Sequence, residues 1–567
     1  MENKKLTQQE LESHLWGAAD ILRGAIDAAD YKHYIFGLLF YKRLSDVWVE
    51  EYEERLKEFE DEELAKDPEE HRFHIPEGCF WSDVKKKTTN IGEALNSSFR
   101  AIEDSNKRLN GVFQDVDFNN KRRFPDSTLE LLIQHFDKYS LMKKNVPSDM
   151  LGNAYEYLIA KFADDAGSKG GEFYTPKEVV QLIVELLKPS EGASVYDPTC
   201  GSAGMLLEAF HYMERNKKNP KSLRLFGQEK NINTWAISQM NLFLHDIDDA
   251  RVVHGDTLKK PLLFDDEASK KIKTFDFVIA NPPFSLKNWG QEIWKGGDPY
   301  GRDLFGCPPK SYADFAFVQH MIKSLNSNGR LGVIVPHGIL FRGNAEGKIR
   351  TALFENEDIL DAVIGLPEGL FYGTGIPTAL LIFKKKRDEN RKKKLLFINA
   401  ELLYEDRKIQ RRLRSSDIDK IVETYSNYTE ENRFSIVVSH KELGENDYNL
   451  NIRRYIDTAP PLTNYDVEHI LKGGIPKYEL EDEYFIELME GLDVESVFEI
   501  KGDSIRFQPV FKLKSDLKKV IGDERVALFN LLSNIWDNYT FSLNQVNEQL
   551  GQTEKKLNSF LKELGYE

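Results

Sequence analysis

The 567-residue sequence predicts an α/β fold. The expected core is Rossmann-like, on a mixed and mostly parallel sheet with an antiparallel terminal strand. A helical N-terminal domain precedes it and a helical C-terminal tail follows. Three observations predict this. From about residue 150, short β-branched runs alternate with amphipathic stretches, the order of a sheet with helices on both faces. Before that point, apolar residues recur at helical spacing and strand-like alternation is scarce. The last residues carry a seven-residue apolar repeat. The expected divisions are a helical domain over residues 1–145, the α/β core over 146–450, and a C-terminal region over 451–567 that ends in a coiled-coil-like helix.

Each element has its own reason. Leu15, Ala18, Ala19, Leu22 and Ile26 share one helical face, and Tyr34 to Phe40 is bulky and apolar. Asp46 to Lys66 is charge-rich and free of Gly and Pro, as in an exposed helix. Thr175-Pro176 is a good start for a helix over Val179 to Leu187. Ser194 to Tyr196, Leu223 to Phe226, Phe275 to Ala280 and Leu331 to Val335 read as strands. Ala203 to Met213, Asn231 to Leu244 and Tyr312 to Leu325 read as the helices between them. Thr378 to Phe383 and Leu395 to Ile398 flank a polar turn and read as a hairpin. Leu543, Leu550, Leu557 and Leu564 fall seven apart, with Val546, Thr553 and Phe560 on the complementary seam. That seam suits a partner helix, or packing on the chain's own domain.

Composition narrows the classes. The 41% hydrophobic content supports sizeable cores, no apolar run has membrane length, and the first ten residues carry no apolar signal core. Cys79, Cys200 and Cys307 lie too far apart for a disulfide framework or a clustered zinc site, and a reducing, cytoplasmic setting is expected. A net charge of −16 argues against DNA binding through the overall field. Action on nucleic acid would then need a local basic surface or a partner that grips the phosphates.

The chemistry concentrates at strand ends. Asn281-Pro282-Pro283-Phe284 directly follows the strand Phe275 to Ala280. An amide, a fixed backbone carbonyl and a flat ring there suit a planar amino group that must be gripped and made to react, although a proline pair can also simply end a strand. Asp197 to Met205 follows a strand and opens a helix. Its glycines lack the dinucleotide spacing and no P-loop Lys follows. An acid before that narrow turn suits an amino-bearing or cationic ligand. Glu229 ends the second strand, where ribose hydroxyls are held in sheets of this type. Asp256 ends the third, as an acceptor for an adenine amino group or as a turn former. Residues 285–311 are long, Gly/Pro-rich and weakly periodic, as in a mobile loop closing over a bound base or a surface excursion. The basic run Lys384 to Lys394 reads as a solvated turn or a phosphate contact. His254 and His337 have no spaced partners and are not read as metal ligands; no metal is required.

The order of Gly171 to Pro176, then Asp197 to Gly204, then Asn281 to Phe284 resembles the gamma arrangement of the amino DNA methyltransferases. Leu15 to Gly24, Leu38 to Asp46 and Gly365 to Thr378 further resemble the modification subunit of type I restriction-modification systems, and the likeness covers roughly residues 10 to 450. Ala203 departs from it, where many relatives have glycine. The resemblance implies S-adenosylmethionine as cofactor and N6 of adenine in DNA as acceptor. The expected cofactor residues are Glu172, Phe173, Tyr174, Thr175, Pro176, Lys177, Asp197, Gly201, Ser202, Ala203, Gly204, Met205, Glu229 and Asp256. Asn281, Pro282, Pro283 and Phe284 would be catalytic. The implied partners are a specificity subunit (two modification chains to one specificity chain), a restriction subunit in the larger complex, and double-stranded DNA with a flipped adenine. A prokaryotic cytoplasmic setting is implied, with no membrane. The alternatives are methylation of a protein glutamine or RNA amino group, and a non-catalytic scaffold that binds S-adenosylmethionine.

Overall fold

Capping and periodicity build the first helical layer. In this computed structural model, which describes residues 6–23, 28–166, 174–371, 375–407, 410–456, 467–481, 483–501, 504–522 and 525–563, α1 (Gln8–Leu22) starts at a capping box. The Thr7 hydroxyl accepts from the Glu10 amide, and the Glu10 carboxylate accepts from the Thr7 amide at 2.9 Å. Leu11, Leu15, Ala18, Ala19 and Leu22 then fall on one buried face. With α2 (Ala28–Phe59), α3 (Ile91–Ser105), α4 (Asp126–Asp137) and α5 (Ser148–Ala166), α1 encloses one core that includes Leu15, Phe36, Phe40, Leu95, Leu132 and Tyr155. Ile237, Met240 and Phe243, from a helix of the α/β layer, complete that core. The charged run from Asp46 is not simply an exposed helix. Val47 and Glu50 are buried, and the Glu50 carboxylate accepts from the Lys144 amide at 2.9 Å. α2 ends before Glu60, which turns left-handed at φ 52°.

The sheet has nine strands: β1 (Ser194–Asp197), β2 (Arg224–Glu229), β3 (Arg251–His254), β4 (Phe275–Ala280), β5 (Leu325–Pro336), β6 (Leu360–Gly365), β7 (Thr378–Lys384), β8 (Lys394–Asn399) and β9 (Ser435–Ser439). Their order is β9-β8-β6-β7-β5-β4-β1-β2-β3. β3, β2, β1, β4 and β5 run parallel, β6 pairs parallel with β8, and β7 lies antiparallel between β5 and β6. β9 is the antiparallel edge strand. The expected hairpin is corrected: β7 and β8 do not pair, because β6 lies between them.

Strands buried on both faces explain why the runs lack polar alternation. Phe277 and Ile279 face one core with α6 (Lys177–Leu187) and α7 (Gly204–Arg215), while Val278 and Ala280 face another. α8 (Ile232–Leu244) links β2 to β3, and α9 (Asp314–Lys323) and α10 (Asn344–Asn356) pack in the second core. Gly332 of β5 admits α6, since a Cβ there would meet Ile183 Cγ2 at 2.7 Å.

The basic run is corrected in part: Lys386, Lys392, Lys393 and Lys394 are exposed, as in a solvated turn, but three of its cations are not. Lys384, Arg387 and Arg391 converge on Asp361 of β6, which is fully buried and also accepts from the Tyr425 hydroxyl at 2.7 Å. These three cations neutralise a buried carboxylate instead of forming a solvated turn.

The contacts divide the chain into Met1–Asp457 and Thr458–Glu567. The second unit holds an antiparallel ribbon (Phe498–Lys501 with Ser504–Phe507) and the helices α11 (Val526–Tyr539) and α12 (Leu543–Glu563), with a core that includes Ile475, Phe498, Leu528, Leu532 and Trp536. The ribbon adds strands to a region expected to be helical. On α12, Leu543, Val546, Leu550, Leu557 and Phe560 are 47–60% exposed; Leu564 lies outside the described residues. Among the described residues no helix is long and apolar enough to cross a membrane.

Candidate active site

The parallel strands β1, β2 and β4 deliver their carboxyl ends to one edge of the sheet, at the place where strand order reverses around β1. Ligands of open α/β sheets bind in that crevice. Asp197 is the last residue of β1, Glu229 the last of β2, and Asn281 directly follows β4.

The turn after β1 is tied from several sides. Asp197 Oδ1 accepts from the Thr199 amide at 2.9 Å, and Gly201, left-handed at φ 54°, donates its amide to Glu229 Oε2 at 3.0 Å. The Thr257 hydroxyl donates to the Pro198 carbonyl at 2.6 Å, and Asn241 Nδ2 donates to the Ser202 carbonyl at 2.9 Å. Gly227 of β2 lets Cys200 close in, because a Cβ there would meet Cys200 Sγ at 3.0 Å. Ala203 is left-handed at φ 67°, a conformation that costs a residue with a Cβ about 1–2 kcal/mol. The departure from glycine is therefore felt by the backbone.

A cavity of about 450 Å³ opens at this edge, within the size range of small-molecule sites. Of the predicted residues, Tyr174, Thr175, Lys177, Asp197, Gly201, Ser202, Gly204, Met205 and Asn281 line it. Pro176, Ala203, Glu229, Asp256, Pro282, Pro283 and Phe284 do not line it, and Glu172 and Phe173 lie outside the described residues. Glu229 Oε1 also accepts from the Asn231 amide at 2.7 Å. Asp256 acts as a turn former: Oδ1 accepts from the Leu258 and Lys259 amides at 3.1 Å, and Oδ2 pairs with Lys230 Nζ at 2.9 Å. The sequence reading missed the wall that α1 and α5 supply through Gln8, Glu12, Asn153, Glu156 and Tyr157. Its signal is the spacing Asn153, Glu156, Tyr157, Ala160, a single helical face that carries polar groups.

Burial sets the electrostatics. Asp197 is 2% exposed, and desolvation pushes its carboxyl up to about 8, with Glu229 nearby adding to the rise. Burial raises Glu229 as well. Among the described residues no Lys or Arg contributes to holding Asp197 ionised. A buried carboxyl without a cation, at the wall of a small-molecule cavity, fits a ligand that brings positive charge.

Across the cavity, Asn281 Nδ2 donates to Thr175 Oγ1 at 3.0 Å, and Asn281 Oδ1 is buried with no partner among the described residues. A buried acceptor without a partner, on a residue that lines the cavity, fits an N–H donor on the ligand. Phe284 is half-buried and meets Phe371 edge-on, at 5.9 Å and 78°.

Residues 285–311 are not the loose loop expected from their composition. Arg302 and Asp298 form a fully buried ion pair, and Arg302 donates to the Thr257 and Leu258 carbonyls at 2.8 and 2.7 Å. Trp289 and Trp294 are buried, and Trp289 Nε1 donates to the Pro309 carbonyl at 3.0 Å. The insertion is stapled to the turn that carries Asp256.

Comparison with known proteins adds independent evidence. The family model described as N-6 DNA Methylase matches residues 146–462, and the one described as HsdM N-terminal domain matches residues 11–136. The chain is similar to the type I restriction enzyme MjaVII methylase subunit of Methanocaldococcus jannaschii, with 33% identity over 479 residues, 80% of this chain and 78% of that protein. It is also similar to the type I restriction enzyme MpnII methylase subunit of Mycoplasma pneumoniae, with 30% identity over 514 residues, 82% of this chain and 93% of that one. The crystal structure of a type I restriction-modification system methyltransferase subunit from Streptococcus thermophilus superposes with a TM-score of 0.72 and 35% identity, over 80% of this chain and 100% of that one.

Proposed function

This chain belongs to the N-6 DNA methylase family, and we propose that it works as the methyltransferase subunit of a type I restriction-modification complex, transferring a methyl group from S-adenosylmethionine to N6 of adenine in DNA. The observation that carries the reading is the Asn281 amide. Its nitrogen is bonded to Thr175 and its oxygen is a buried acceptor with no partner among the described residues, on a side chain that lines the cavity together with Asp197.

S-adenosylmethionine, when bound, supplies an electrophilic methyl group on a sulfonium, and its zwitterionic amino-acid end carries an α-ammonium. Asp197, Thr175 and Lys177 would hold it, with Gly201, Ser202 and Gly204 lining its path. Asn281 Oδ1 and the Pro282 carbonyl accept the two N–H groups of the adenine amine. Those bonds draw the nitrogen lone pair out of conjugation with the ring and aim it at the methyl carbon, as positioning and electrostatic stabilisation. The two prolines keep the acceptors rigid. Phe284, backed by Phe371, stacks on the flipped base, a contact of about 1–3 kcal/mol.

Target choice falls to a separate specificity subunit, with two modification chains to one specificity chain and a restriction subunit in the larger complex. The exposed seam Leu543, Val546, Leu550, Leu557 and Phe560 on α12 supports a helical docking surface for that partner. The named relatives are type I methylase subunits, which favours DNA over a protein glutamine or an RNA amine as acceptor. Co-expression with the neighbouring specificity subunit, followed by transfer of labelled methyl to DNA, tests the reading. Label in N6-methyladenine is expected, and label on protein or RNA alone would overturn it.

A further inference from the structure

We infer that Asp314 is a positioning residue for the target-binding loop, and that its carboxylate fixes the direction in which the chain leaves Phe284. The inference rests on the methyl-transfer reading of Asn281 to Phe284. Ser285 follows Phe284 directly and is left-handed at φ 52°, a conformation disfavoured for any residue with a Cβ. Its amide donates to Asp314 Oδ1 at 2.9 Å, and one residue along, the Ala313 amide donates back to the Leu286 carbonyl at 3.1 Å. The junction after Phe284 is thus bonded in both directions to the start of α9. Pro283 is exposed and Phe284 only half-buried, so packing alone holds the tip of this loop weakly.

Asp314 is itself held. It is 3% exposed, and its Oδ2 accepts from the Arg342 guanidinium at 3.0 Å. Arg342 also lies 2.8 Å from the Glu346 carboxylate and 4.0 Å from the centre of the Tyr312 ring. One cation between two buried carboxyls leaves the second favoured as neutral, and burial raises Glu346 to about 7. Arg342 therefore locks the Asp314 rotamer, and Asp314 locks Ser285. A carboxylate that only started α9 would not need the amide of a strained residue on another segment.

The test uses the full chain with its specificity subunit and target DNA. Asp314→Leu removes the acceptors at similar volume, and Asp314→Asn keeps one. Asp314→Leu is expected to slow single-turnover methyl transfer about 10- to 100-fold, while cofactor affinity stays within about twofold. Amide exchange of the peptide spanning 281–290 should quicken. Asp314→Asn should keep most of the rate. Ser285→Gly placed in the Asp314→Leu chain should recover part of it, because glycine is left-handed at no cost. If Asp314→Leu does not fold, Asp314→Gln, which displaces the acceptor, takes its place. Wild-type rate and exchange in these variants would overturn the inference, as would equal losses of rate and cofactor affinity. A wild-type chain that transfers no methyl would count against the methyl-transfer reading alone. Exchange at 281–290 would still decide whether Asp314 holds the loop.

Discussion

Asn281 Nδ2 donates to Thr175 Oγ1 at 3.0 Å, and Oδ1 of the same amide is a buried acceptor with no partner among the described residues. An amide turned the other way would present two donors to an adenine amine that is itself a donor. Thr175→Val keeps the shape and removes the acceptor. It should lower the methyl-transfer rate about 10- to 100-fold, while Thr175→Ser stays near wild type, as read by single-turnover kinetics.

Asp197 predicts a pH dependence of cofactor binding. Its carboxyl sits at about 8 in the free protein, and a cationic ligand needs the ionised form. Affinity should rise about tenfold per pH unit below 8, until the ligand's own ammonium begins to lose its proton. In Asp197→Asn the slope should vanish, as calorimetry between pH 6 and 9 would show. The sign for folding is opposite. With its pKa raised above the unfolded value, Asp197 contributes stability below about pH 4 that is lost as pH rises through 8.

Arg302 and Asp298 staple the insertion to the turn after β3. Arg302→Met alone leaves a buried acid unpaired and should destabilise by about 3–5 kcal/mol in urea unfolding. The double change Arg302→Met with Asp298→Leu should recover much of that loss.

The α12 seam should tolerate charge in the isolated chain but not in the complex. Leu550→Glu with Leu557→Glu changes exposed positions, so the melting temperature should hold, with each change within about 0.5 kcal/mol. Co-elution with the specificity subunit on size exclusion should be lost.

Legibility in the sequence followed the range of the interactions. β4 was readable to the residue, because Phe275 to Ala280 is an unbroken strand-forming run cut by two prolines. Asp197 and Asn281 were readable for the same reason: each stands where a local signal ends a strand. The partner of Asn281 was not, since Thr175 lies 106 residues away and only the fold brings them together. β7 and β8 are adjacent strands in sequence, but β6 lies between them in the sheet. Their polar connection looked like a hairpin turn because its use of Arg387 and Arg391 against Asp361 is a long-range contact. The insertion 285–311 misled for a related reason. Its Gly and Pro content signals a loop, whereas its order comes from Arg302 reaching the Thr257 and Leu258 carbonyls. Ser285 and Asp314 carry no local motif at all.

The most direct measurement is transfer of labelled methyl to target DNA by the chain with its specificity subunit, comparing wild type with Asn281→Ala. Wild type should place label on N6 of adenine. Asn281→Ala should lose transfer by about 100-fold or more while binding S-adenosylmethionine with nearly unchanged affinity. Transfer by Asn281→Ala at the wild-type rate would contradict the role of this amide.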